Sequence, residues 1–92
     1  MITLVIYDIT DDRIRNKIAK VCKRFGLVRI QKSAFLGYLC SARRKELSSK
    51  LRRTLRKEKG NIQIFVICKA DIALREIIGD FQEFEDEELI TI

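Results

Sequence analysis

The apolar spacing of this chain switches repeatedly between alternating and helical, and that order limits the folds open to it. Residues 2–9, ITLVIYDI, read as a strand. Ile14, Ile18, Val21, Cys22 and Phe25 then fall on one helical stripe, with Arg13, Arg15, Lys17, Lys20, Lys23 and Arg24 around the rest. Asp11 or Asp12 suits the cap of that helix, and Gly26 is a natural stop. From residue 27 to residue 41 the pattern alternates again. Val28 and Ile30 face one way, Arg29 and Gln31 the other, and Phe35, Leu36, Tyr38, Leu39 and Cys40 form a second extended run. No Asn-Gly turn marks where these two strands reverse. Residues 43–58 are helical, with Leu47, Leu51 and Leu55 on one stripe and Gly60 as the stop. Residues 62–68 are apolar but for Gln63, which predicts a strand central in its sheet. Residues 71–78 predict a short helical region, and residues 89–92 a small last strand.

The order β-α-β-β-α-β predicts an α+β fold of the ferredoxin-like kind: a four-stranded antiparallel sheet with two helices on one face. Each helix carries a single apolar stripe, which fits a one-sided cover. Residues 1–79 form the expected domain, and residues 80–92 an acidic segment ending in the short strand.

Composition narrows the chemistry. The chain has no histidine, and its three cysteines are widely spaced with no C-x-x-C. A zinc site or a His-dependent triad is therefore not expected, and the thiols read as free. No apolar run approaches the roughly 18 residues of a membrane span, and the start lacks a basic leader, so a cytoplasmic protein without a membrane partner is expected. Residues 1–79 hold all 19 Lys and Arg against seven acids, whereas residues 80–92 hold six acids and no base. A basic body points to a polyanionic partner, and the acidic tail is either a solubilising charge or a docking segment.

The second helix concentrates this charge. Residues 43–59, RRKELSSKLRRTLRKEK, hold nine bases and two acids. A solvated face is one reading. Phosphate contact through Arg43, Arg44, Arg52, Arg53 and Arg56 is the other, because the arginine fork binds phosphate bidentately. The RNA-recognition domain shares the element order, but the run Ser33–Leu39 does not match its stacking pattern.

Asp8 is the unexpected residue: an acid ending an apolar strand. Asp11 and Asp12 already supply the cap, so Asp8 is redundant for that purpose. A two-fold dimer would bring a second Asp8 to it. Two carboxylates about 4 Å apart repel by roughly 4 kcal/mol at an effective dielectric of about 20. Such a pair is either a metal site or a proton-sharing site.

The run YDITDDRIRNKIAKVCKRFG, followed by RIQKSAF, resembles the CRISPR-associated Cas2 family. The resemblance covers nearly the whole chain. It implies a homodimer of ferredoxin-like subunits in which the C-terminal strand, here residues 89–92, crosses to the partner's sheet. It also implies metal-dependent endonuclease action on RNA or duplex DNA, and an architectural role in spacer acquisition, bridging dimers of the Cas1 integrase. Carried over by motif, Asp8 would be the ligand of Mg2+ or another divalent ion such as Mn2+. Tyr7 would flank it, Arg15 and Arg29 would contact phosphate, and Ser33 and Phe35 would line the dimer cleft. Lys17 stands where some members carry Arg, and Ala34 where Val is common. Three functions stay open here: a metal-dependent phosphodiesterase, a non-catalytic DNA-binding adaptor, and a ribonuclease toxin of similar fold.

Overall fold

The computed structural model describes residues 1–80. The chain runs β1 (Ile2–Ile9), α1 (Asp12–Arg24), β2 (Val28–Gln31), β3 (Ala34–Tyr38), α2 (Ser41–Leu55), β4 (Gly60–Ile67) and α3 (Lys69–Ala73). The four strands form one antiparallel sheet in the order β2-β3-β1-β4. This is the ferredoxin-like arrangement read from the element order. The last strand expected at residues 89–92, and nearly all of the acidic segment, lie outside the described residues.

Helix α1 begins and ends on local chemistry. Asp11 is the N-cap, and its carboxylate accepts the Ile14 backbone N–H at 3.0 Å. At the other end Gly26 takes a positive φ of 85°. Its N–H bonds the Lys23 carbonyl, and the Leu27 N–H bonds the Cys22 carbonyl, which is the Schellman pattern. The apolar stripe of α1 buries Ile18, Val21 and Cys22 against Val5, Tyr7 and Ile9 of β1, Phe35 of β3, and Leu47 and Leu51 of α2. Phe35, Ile18 and Leu47 are the largest fully buried side chains. Truncating a leucine at such a site costs about 2–5 kcal/mol.

Four sequence expectations are corrected. Strand β4 is not central; among the described residues it is an edge strand paired only with β1. Its apolar run arises because Ile62 and Ile64 pack on the core while Phe65 and Val66 remain exposed. Helix α2 ends at Leu55, not near residue 58, because Arg56 turns to a positive φ of 53°. Gly60 does not stop that helix but opens β4 at φ 131°, where a Cβ would sit 2.5 Å from the Asp8 carbonyl oxygen. The short third helix lies at Lys69–Ala73, earlier than expected.

The β2–β3 hairpin reverses at Lys32 and Ser33, between Gln31 and Ala34. A register shift between Arg29 and Gln31 breaks the simple alternation expected there. Arg29 pairs with Phe35 on the helix-facing side, whereas Gln31 pairs with Ala34, itself paired with Ile6 on the opposite face.

Candidate functional site

The two faces of β1 have different fates. Thr3, Val5, Tyr7 and Ile9 point into the layer covered by the helices and are buried. Leu4, Ile6 and Asp8 point to the uncovered side. Across from them on neighbouring strands stand Leu36, Phe65 and, opposite Asp8, Asn61. Val28, Tyr38, Phe65 and Ile6 leave this face apolar and 40–67% exposed. Asp8 therefore ends an apolar strand without the several kcal/mol, roughly, that burying an unpaired carboxylate costs. Its carboxylate is exposed at the rim of a bare apolar sheet face.

Asp8 also borders a cleft of about 550 Å³ at the junction of β1, α1 and the β2–β3 turn, lined by Tyr7, Asp8, Ile9, Arg15, Asn16, Arg29, Lys32 and Ser33. Three cations and one acid thus share one concavity, a composition suited to a phosphodiester. Arg15 ion-pairs with Asp12 and donates through Nη1 to the Ile9 carbonyl at 3.3 Å, so its guanidinium is anchored at the mouth. Arg29 lies over the Phe35 ring, 5.0 Å from its centroid, and its Nε is buried with no hydrogen-bond partner among the described residues.

Tyr7 is 3% exposed and stacks on Phe35 at 6.3 Å between centroids. Its hydroxyl donates to the Lys32 carbonyl at 3.4 Å, and its backbone N–H donates to the Ser33 carbonyl at 3.0 Å. Burial raises the Tyr7 hydroxyl pKa, and the Arg29 guanidinium pulls it partly back. Tyr7 thus ties the turn carrying Lys32 and Ser33 to the strand carrying Asp8. Phe35, expected in the dimer cleft, is instead wholly buried beneath Tyr7 and Arg29. It positions the site from behind.

The donor set for a metal is small. Among the described residues no group of three or more His, Cys, Asp or Glu comes together. Among the described residues Asp8 is the single carboxylate lining the cleft. Magnesium is commonly held by one or two carboxylates with waters and substrate phosphates. One chain alone, with a single carboxylate at the cleft, fits the ion poorly.

The model of the CRISPR associated protein Cas2 family matches residues 1–73. The chain belongs to the Cas2 family. Among its relatives, a protein of Korarchaeum cryptofilum named CRISPR-associated endoribonuclease Cas2 is 45% identical over 76 residues, covering 83% of this chain and 82% of that one. A Thermoproteus tenax protein named as a CRISPR-associated endonuclease Cas1/endonuclease Cas2 fusion is 42% identical over 72 residues, 78% of this chain and 27% of the fusion. The crystal structure of Streptococcus pyogenes Cas2 superposes with a TM-score of 0.74 at 23% identity, covering 86% of this chain and all of that one, a likeness of fold.

In this Cas2-family chain the cleft gathers Tyr7, Asp8, Arg15, Arg29 and Ser33 from the residues singled out in sequence. Lys17 is exposed on α1 outside it. Arg43, Arg44, Arg52, Arg53 and Arg56 lie on or just after α2 and do not line the cleft. Asn16 and Lys32 were missed. Lys32 is signalled only by its place in the hairpin turn, which the sequence does not mark. No helix among the described residues is long and apolar enough to cross a membrane.

Proposed function

We propose that this chain acts in the cytoplasm as a homodimer that binds nucleic acid in CRISPR adaptation and cleaves phosphodiester bonds with a divalent metal. The observation that carries this reading is Asp8, exposed at the rim of a bare apolar sheet face and beside the cations of the cleft. Covering that face with a second copy removes apolar surface from water, which favours association, and brings two Asp8 carboxylates toward one another. The pair then holds Mg2+ or Mn2+ together with a substrate phosphate. When bound, the metal supplies charge neutralisation at the phosphate and a more acidic water. Arg15, Arg29 and Lys32 orient the phosphate, and Tyr7 holds the turn in place. The endoribonuclease names of the relatives favour RNA as the substrate. The fused relative, which joins both activities in one chain, favours Cas1 as a partner.

The test is cleavage of single-stranded RNA and duplex DNA with Mg2+, comparing wild type with Asp8→Ala at matched dimer content measured by analytical ultracentrifugation. Loss of cutting in the variant supports the enzyme. Binding by both without cutting by either leaves a non-catalytic adaptor.

A further inference from the structure

A second concavity lies away from Asp8, at the C-terminal end of α1. It has a volume of about 460 Å³ and is lined by Phe25, Lys45, Glu46, Ser49, Lys50 and Arg53. Arg43 lies over the Phe25 ring with its guanidinium carbon 4.2 Å from the centroid. Arg43 also holds Glu46 through Nη1 at 2.7 Å, which neutralises the one acid lining the groove among the described residues. Lys45, Lys50 and Arg53 keep their charge facing solvent. The Arg43 side chain is 46% exposed, so it is not sealed between Phe25 and Glu46.

We propose that this groove seats single-stranded nucleic acid, with a base stacked on the Arg43–Phe25 platform and backbone phosphates on Lys50 and Arg53. Unstacked bases commonly lie on arginine planes and aromatic rings, with cations following the backbone. The groove and the Asp8 cleft touch opposite ends of α1, through Phe25 and through Arg15 and Asn16. Ten residues of helix separate them by about 15 Å. The groove therefore grips a strand some nucleotides away from the scissile bond and contributes to binding without touching the reacting atoms. The inference rests on the nucleic-acid reading above, but it is tested by binding and not by cleavage.

The experiment is fluorescence anisotropy with a labelled single-stranded RNA of about 20 nucleotides, over a salt series. The variants are Lys50→Glu/Arg53→Glu, Arg43→Lys, Asp8→Ala, and Lys57→Glu/Lys59→Glu. The last carries the same change of charge outside the groove. Thermal melts confirm that each variant is folded. The groove reversal is expected to weaken binding at least tenfold and to reduce the slope of log K against log salt by about 1.4, the share of two single-strand phosphate contacts. Arg43→Lys keeps the charge, loses the planar platform, and is expected to weaken binding about threefold. Asp8→Ala, assayed for cutting alone, separates a failure of the enzyme reading from a failure of the groove. Equal weakening by Lys57→Glu/Lys59→Glu, or wild-type binding by the groove reversal, overturns the groove. Wild-type binding by Arg43→Lys overturns the stacked base. A groove that binds as expected in a protein whose Asp8→Ala variant still cuts would leave this inference standing and remove the enzyme reading.

Discussion

Arg29 lies 5.0 Å above the centre of the Phe35 ring, and the two residues are directly paired across β2 and β3. The ring is completely buried, so it gives the guanidinium a rigid floor. Cation–π contact of this kind contributes about 0.5–2 kcal/mol. The Nε is buried with no hydrogen-bond partner among the described residues, so packing on the ring, together with the interaction with the Tyr7 hydroxyl, holds the arginine in place.

Arg29→Lys is therefore expected to be far from conservative. Lysine keeps the charge but has neither the planar contact nor the fork. Binding of single-stranded RNA, followed by anisotropy, should weaken about tenfold, with a loss of about 1 kcal/mol in thermal unfolding. Unchanged affinity would show that Arg29 does not reach the nucleic acid.

Gly60 faces the backbone of the site residue. A Cβ there would meet the Asp8 carbonyl oxygen at 2.5 Å, and the φ of 131° is one that side chains rarely adopt. Gly60→Ala should cost about 2 kcal/mol, or roughly 10 °C in Tm for a domain of this size, and should reduce cleavage by displacing the end of β1. A melt within 2 °C of wild type would show that β1 and β4 separate easily at this point.

Asp11 makes stability depend on acid pH. The Ile14 backbone N–H holds its carboxyl below the ordinary carboxylate value. The folded state then binds protons less readily than the unfolded state. The cap's contribution is complete above the unfolded value of about 3.9 and is lost as pH falls through the lower folded value. Wild type should lose Tm between neutral pH and pH 3 by more than Asp11→Ala does, and the two curves should converge at the acid end. Parallel curves would assign the acid sensitivity to other carboxylates.

The three thiols should separate by reactivity. Burial pushes the Cys22 thiol up to about 12, whereas Cys40 and Cys68 are exposed, the latter donating to the Asp71 carboxylate at 3.0 Å. The thiolate is the reactive form, so iodoacetamide at pH 8 should add twice to the native chain and a third time only in guanidinium. Rapid modification of Cys22 in native protein, seen by peptide mass spectrometry, would mean that the core opens locally.

Much of this fold is legible in the residues because it is local. The stripe Ile14, Ile18, Val21 and Cys22, the cap at Asp11 and the stop at Gly26 each depend on neighbours within one or two turns. The acid at the end of β1 stands out for the same reason: it breaks an apolar pattern that can be read along the chain. Less local features are not legible. An apolar run such as residues 62–67 reads as central whenever both faces are hydrophobic, yet among the described residues β4 is an edge strand that leaves Phe65 and Val66 exposed. Helix α2 stops where Arg56 takes an unusual φ, although glycine four residues later was the better local candidate.

By itself, then, the sequence determined the order of elements, the caps of α1, the basic body and the presence of an acid at the end of β1. All of these follow from periodicity and short-range hydrogen bonding. Only the tertiary structure decided that Asp8 faces away from the core, and that Arg15, Arg29 and Lys32 converge beside it while the α2 arginines do not. It also decided that Phe35 supports the cleft from beneath instead of lining it. The physical reason is that side-chain direction in a sheet depends on register, and register on pairings between strands far apart in the chain. The shift between Arg29 and Gln31 moves one side chain to the other face, and no local rule announces it.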